Sequence, residues 1–415
     1  MERIILHSDL NNFFASVEAV INPEYAGGDK FIAVCGLEED RHGIVLAKNE
    51  NAKRMGVKTG DTIWQARQKC PGIIIAQPHF DKYSYYSKLV RKIYSDYTDE
   101  VEAFGMDECW LDVTHSTSLF GDGKNIAETI RKRVKRETGL TVSVGVSFNK
   151  VFAKLCSDMK KPDAVTVVNR ADFREKIWWL PAENMLGVGR STLRTLKRHG
   201  IFTIGDIART PSAYLEKWLG KCGYQLYSFA NGLDDSPVLP IEYTAAPKSI
   251  SRGVTCRENL ENDDEVSKIL LYLAGDVSSK LREHCMLASS VTISVRDCSL
   301  YTSEYSMRLV SPSRSRAVIF EATYALFKSS YHWSAAVRAI TVRASGLSCD
   351  GEPTVMDFFT DTIHAEKLER KEATVDLICK HFGKDSVIPA SLLGDIKLPH
   401  IINEATLPPA VRAGS

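Results

Sequence analysis

Apolar and polar positions along the chain change period repeatedly, and the changes predict strands and helices in a mixed order. Ile4, Ile5 and Leu6 form a short buried strand that Asp9 closes. Asn11 and Asn12 stand at capping positions before helix-period residues that run to Glu18. Residues 31–35 and 43–47 are apolar enough for strands, and residues 51–56 end a helix at Gly56. Tyr83 to Tyr94 has the spacing of a helix packed on a sheet, as does Ile126 to Glu137, and Thr141 to Val146 returns as a strand. Two strand-helix-strand passes around a central hairpin predict a βαββαβ, ferredoxin-like sheet within an α+β chain.

The hairpin carries the candidate chemistry. Between Ala103 and Thr114, Trp110, Asp112 and Thr114 alternate with Leu111 and Val113, and the turn falls at Asp107 and Glu108. An arbitrary Asp-Glu pair at a turn is usually solvated, but here Met106 and Cys109 flank it. With Asp9 at another strand end, the sheet carries three carboxylates, the donor set that a pair of hard divalent cations takes. The expectation is a two-metal phosphoryl-transfer centre.

Downstream, Asn149-Lys150 opens a helix that stops before Pro162. Short capped helices fill residues 169–236, and 186–193 reads as a helix-hairpin-helix. Its Gly187 and Gly189 let backbone N–H groups approach a nucleic-acid phosphate. Pro237, Pro240 and Pro247 mark a tether. A second α/β unit follows, in which Val291, Ile293 and Val295 face a core while Thr292, Ser294 and Arg296 face outward. Residues 248–252 open that unit, and Arg252 is counted with Arg296 as a phosphate contact.

Composition narrows the classes. The 415 residues, 44% of them hydrophobic, suffice for several domains. Lys and Arg number 53 against 52 Asp and Glu, so a nucleic-acid surface has to be local. Ten scattered cysteines without a Cys-x-x-Cys pattern indicate reduced thiols in a cytoplasmic setting and argue against structural zinc. No apolar run at the N-terminus has the length of a signal peptide or a membrane span.

Taken jointly, Asp9 with Phe14 five residues later, Met106-Asp107-Glu108 with Leu111-Asp112, and the stretch from Gly145 through Phe148-Asn149-Lys150 to Lys154 resemble the Y-family translesion DNA polymerases, in their bacterial polymerase IV-like branch. The resemblance runs from residue 1 to about residue 348. It implies a multidomain right-hand polymerase with a palm (1–12 and 80–168), fingers (13–79), a helical thumb (169–236), a linker (237–247), a little finger (248–348) and a C-terminal tail (349–415).

The same resemblance implies roles for individual residues. Asp9, Asp107, Glu108 and the carbonyl of Leu10 would hold two Mg2+ ions, with Asp107 and Glu108 catalytic. Phe14 would be the steric gate that admits dNTPs and rejects rNTPs by collision with a 2'-hydroxyl. Lys161 would meet the triphosphate. Relatives present a Tyr and an Arg where this chain has Glu50 and Lys53; Lys53 can still pair with phosphate as a point charge, and Glu50 would point elsewhere.

Primer-template DNA and dNTPs would be the partners of a monomer. A degenerate sliding-clamp peptide, Val355 to Phe359, has Val355 where a Gln is usual, and an intramolecular staple is its competing reading. Two alternatives stand beside the polymerase: a palm-type nucleotide cyclase, and a non-catalytic DNA-binding accessory protein of the same fold.

Overall fold

A computed structural model of the chain describes residues 2–25, 28–37, 43–349, 362–384, 386–394 and 396–399. Its twelve strands are β1 (Ile5–Leu10), β2 (Ile32–Cys35), β3 (Val45–Lys48), β4 (Ile74–Ala76), β5 (Val101–Ala103), β6 (Glu108–Asp112), β7 (Val142–Ser147), β8 (Val165–Val167), β9 (Ser249–Leu260), β10 (Met286–Asp297), β11 (Thr302–Ser313) and β12 (Val337–Cys349). They form three sheets within two compact units, which divide between Thr244 and Ala245.

The first unit is built on a five-stranded sheet in the order β5-β6-β1-β7-β8. Its first four strands are antiparallel, in the ferredoxin-like arrangement, and β8 adds parallel to β7. Leu6 and Leu10 of β1 pack with Leu111 and Val144 under the helices Phe80–Ser95 and Gly123–Thr138. The opposite face, which bears Ile5, His7 and Asp9, receives the helix Lys150–Met159. Gly145 permits that approach: a Cβ there would stand 2.0 Å from the carbonyl oxygen of Ala153 and 2.5 Å from the amide of Ser157.

A three-stranded sheet, β3-β2-β4, makes a small separate core with Ala52, Ile63, Ala66 and Cys70. The helix Phe13–Ile21, assigned from sequence to the fingers, belongs to both cores. Phe13 and Val17 pack with the large sheet, while Ala15 meets Ile32, Val34 and Ala76. Asn12 does precede this helix, but in the left-handed conformation (φ 51) and without a side-chain cap. Its amide donates instead to Glu50.

The helical segment includes Phe173–Ile177, Arg190–Arg198, Ile204–Arg209, Ser212–Leu219 and Lys221–Ala230 around Leu196, Ile204, Leu215 and Leu226. The proline-marked stretch is not a free tether over its first half. Val238 is buried against Ile5, Trp110 and Ala153, the Leu239 amide donates to Glu102, and the Ile241 amide to the Asp99 carbonyl.

In the second unit, a sheet in the order β11-β10-β12-β9 packs one face on the helices Asp263–Glu283 and Arg316–Ser330. Alternation puts Val291, Ile293 and Val295 in that core, as the sequence predicts. The C-terminal stretch adds to this unit. Its helix Thr362–Phe382 sets Glu372 and Asp376 against Arg282 at 2.5 and 2.6 Å, and Lys397 bonds Glu265 at 2.7 Å. Among the described residues, tail acids Glu372 and Asp376 thus pair with a basic side chain of the unit itself. The Val355 to Phe359 motif lies outside the described residues.

Candidate active site

Register builds the site. Asp9 faces Glu108 across the β1–β6 pair, His7 faces Trp110, and Ile5 faces Asp112, so the acidic pair, the two rings and the Ile5–Asp112 pair follow one another along one sheet face. The amide of Leu10 donates to the carbonyl of Asp107 at 2.9 Å, which ties the hairpin turn to the end of β1. From the other side, Ser87 bonds the Met106 carbonyl and Arg91 bonds the Gly105 carbonyl at 2.8 Å, while Gly105 takes φ +88. The acidic pair is therefore held by a helix and a strand and is not a solvated turn.

Two lysines and a histidine complete the cluster. Lys161 Nζ meets Asp9 Oδ2 at 2.7 Å and Asp158 at 2.8 Å. Lys154 pairs with Glu108 Oε2, and His7 Nε2 lies 3.1 Å from the same oxygen. His7 is fully buried, and its Nδ1 stands 2.8 Å from the Ser157 hydroxyl.

Burial pushes the Asp9 carboxyl up to about 6 against the pull of Lys161. Burial and the neighbouring Glu108 raise Asp107 as well. Glu108 moves the opposite way, to about 2: burial opposes ionisation, but the His7 hydrogen bond and the Lys154 ammonium outweigh it. Burial holds His7 itself down at about 4, so a neutral imidazole donates Nε2–H to Glu108 while its Nδ1 faces the Ser157 hydroxyl.

The donor chemistry fits a hard divalent cation: carboxylates on a rigid sheet edge, two of them held above their ordinary range by burial and by like charge nearby. Among the described residues no three potential ligands converge as a closed set, because Lys154 and Lys161 draw Glu108 and Asp9 toward themselves. His7, Lys154 and Ser157 were not singled out from sequence. The signal was present: His7 lies two residues before Asp9 on one strand face, and Lys154 and Ser157 share a helix side at i, i+3.

Phe14, the second residue of the helix Phe13–Ile21, stacks on Tyr83 with centroids 4.3 Å apart and planes at 11°. Glu50 accepts from Asn12 at 3.3 Å and from Lys53 at 3.2 Å, so the side chain that cannot take a phosphate turns back and partly neutralises the one that can.

In the helical segment, Gly187 has φ +90, and Gly189 precedes the helix Arg190–Arg198 with open space where its Cβ would be. On the second unit's sheet, Arg296 is on the open face beside Thr302, in line with the expectation. Arg252 is a correction. It shares a face with Ile250 and Cys256, is mostly buried, and pairs with Asp276 of the helix Asp263–Glu283 at 3.2 Å. The period of 2 puts it in the helix-covered layer, and the open-face neighbours on β9 are Ser249 and Ser251, opposite Ser345 and Arg343.

Three family descriptions match the chain: the impB/mucB/samB family over residues 8–158, the C-terminal domain of that family over 247–357, and the DNA polymerase-iota thumb domain over 183–234. A DNA polymerase IV of Acetivibrio thermocellus is 49% identical over 401 residues, covering 97% of this chain and 100% of that one. The chain belongs to the Y-family of DNA polymerases.

A second relative of this Y-family chain, a DNA polymerase IV of Clostridium kluyveri, is 34% identical over 399 residues, with 95% and 98% of the two chains covered. A solved Y-family DNA polymerase chimera superposes with TM-score 0.74 at 24% identity, over 83% of this chain and 99% of the other, and supports the right-hand fold. Divalent-metal dependence goes with the family. The hairpin acids lie within the stretch matched by the family description, and the match to the family's C-terminal domain falls in the second unit.

Proposed function

We infer that this Y-family chain is a DNA-directed DNA polymerase that adds dNMPs to a primer 3'-hydroxyl and performs translesion synthesis. The observation that carries the reading is the pairing of Asp9 with Glu108 on one sheet face, beside Asp107, in a chain matched along its length by polymerases. The cyclase and accessory readings receive no support from those relatives.

Asp9, Asp107 and Glu108, with the Leu10 carbonyl, are the groups that would hold two Mg2+ ions. When bound, such ions polarise the attacking hydroxyl and neutralise charge on the triphosphate and departing pyrophosphate. The chain's own side chains do the rest. Lys161, released from Asp9, would meet phosphate oxygens, and Lys53, released from Glu50, is a second candidate. Neutral His7 keeps the Glu108 carboxylate oriented from below. The Phe14 ring excludes a 2'-hydroxyl by overlap, which selects dNTPs.

Backbone amides at Gly187 and Gly189 would take DNA phosphates without side-chain obstruction. On the open sheet face, Arg296 and Arg343 stand among Ser251, Thr292 and Ser294, a surface suited to phosphate contact independent of sequence. Arg252 is no longer part of that set. A monomer acting on DNA in the cytoplasm is the simplest setting, and no helix among the described residues is long and apolar enough to cross a membrane. Clamp binding through Val355 to Phe359 remains a proposal resting on sequence.

Primer extension tests the reading. The intact protein with Mg2+ should add the template-matched dNTP, and neither Glu108→Ala nor a parallel set of rNTPs should give product. DNA binding without incorporation by the intact protein would overturn it.

A further inference from the structure

Glu18 is a carboxylate at 0% exposure that the polymerase reaction does not use. An acidic side chain in that position is costly unless donors surround it. Here Tyr83 donates its hydroxyl to Glu18 Oε1 at 2.5 Å, His79 Nδ1 stands 3.0 Å from the same oxygen, and Asn22 Nδ2 donates to Oε2 at 3.1 Å.

The geometry is a closed square. Phe14 and Glu18 are four residues apart on the helix Phe13–Ile21, and His79 and Tyr83 are four apart at the start of the helix Phe80–Ser95. Phe14 stacks on Tyr83, while Tyr83 and His79 both reach Glu18. Phe80 closes the group edge-on, 5.7 Å from Phe14 and 5.5 Å from Tyr83. Burial and the Glu18 carboxylate push the Tyr83 phenol far above its usual range, so it remains a donor.

We propose that Glu18 is a positioning residue for sugar selection: by gripping the Tyr83 hydroxyl it fixes the plane on which the Phe14 ring rests. This rests on the reading of Phe14 as the sugar gate. Stacking alone lets two rings slide, because parallel faces attract over a range of offsets. A hydrogen bond at the para position of one ring removes that freedom. Exclusion by overlap needs such a fixed wall, since a shift of about 1 Å in a reacting geometry can change rates by two orders of magnitude.

The test compares kcat/KM for one template-matched dNTP with that for its rNTP in single-nucleotide extension by the full chain with Mg2+. Phe14→Ala should collapse the ratio. Tyr83→Phe, which keeps the stacked ring and removes the grip, should lower it about five- to tenfold, as loss of a buried hydrogen bond allows. Glu18→Ala should do at least as much, and Glu18→Gln, which still presents an acceptor oxygen, should restore most of it. In the Phe14→Ala background, Tyr83→Phe should cause no further drop.

If Phe14→Ala collapses the ratio but Tyr83→Phe leaves it at the wild-type value, with Glu18→Ala unchanged or unfolded, the inference is overturned and the gate survives. If Phe14→Ala leaves the ratio intact, the gate reading fails and takes this inference with it. A further drop in the double variant also overturns it, because the Tyr83 hydroxyl held by Glu18 would then not act through Phe14.

Discussion

Asp9 and Glu108 are direct partners across two antiparallel strands, yet each carboxylate is turned to its own lysine, Asp9 to Lys161 and Glu108 to Lys154. The two ammonium groups separate like charges that the sheet would otherwise press together. The first prediction follows from that arrangement. Glu108→Ala should reduce dNTP incorporation by at least about a thousandfold, the scale set by loss of a preorganised electrostatic group. DNA affinity in a gel-shift assay should change little, since no DNA-contact candidate depends on Glu108.

Protonation gives the second. Asp9 titrates near 6 and Asp107 is also raised, both first through burial. A carboxyl whose folded value exceeds its unfolded one favours the folded state while protonated. The metal-free protein should therefore lose stability as pH rises from the ordinary carboxylate range through about 6. A cation needs these groups ionised, so the Tm gain from Mg2+ over EDTA should be small at about pH 5 and largest above about pH 7. An equal gain at both ends, measured by thermal scan, would contradict this.

A third prediction concerns Gly145. Its added methyl in Gly145→Ala would meet the Ala153 carbonyl and the Ser157 amide, neither of which can yield without moving the helix Lys150–Met159. A loss of about 3 kcal/mol or more in urea unfolding is expected. Activity should fall beyond what stability explains, because Lys154 and Ser157 travel with that helix.

Glu50 and Lys53 supply the fourth. Glu50→Gln removes the charge that pairs with Lys53, so KM for dNTP should drop a few-fold, about the worth of one exposed ion pair. Lys53→Ala should raise KM. Opposite shifts would show that Lys53 does not meet the nucleotide.

The fifth is structural. Glu372 accepts from Arg282 and from the backbone amide of Arg316. Glu372→Ala should destabilise the second unit by about 2 kcal/mol, because Arg282, only 9% exposed, loses one of its two acidic partners. No change in unfolding midpoint would mean that the C-terminal helix is not a working part of the fold.

Local pattern determined a good deal. The ferredoxin-like order, the hairpin acids, the helix after Asn149 and the inward set Val291, Ile293 and Val295 depend on periods of 2 and 3.6 and on capping chemistry, which nearby residues settle. Other features needed the third dimension. From sequence Arg252 counts as a phosphate contact, and strand register puts it under a helix with Asp276. The stretch after Pro237 looked like a tether because prolines and polar residues give no sign of Val238 docking beside Trp110. His7 with Lys154, and Glu18 with Tyr83, meet across 147 and 65 positions of sequence around single carboxylates, Glu108 and Glu18. Periodicity records which face a residue takes on its own element. Which element covers that face, and which charge waits there, is fixed only when the sheets and helices pack.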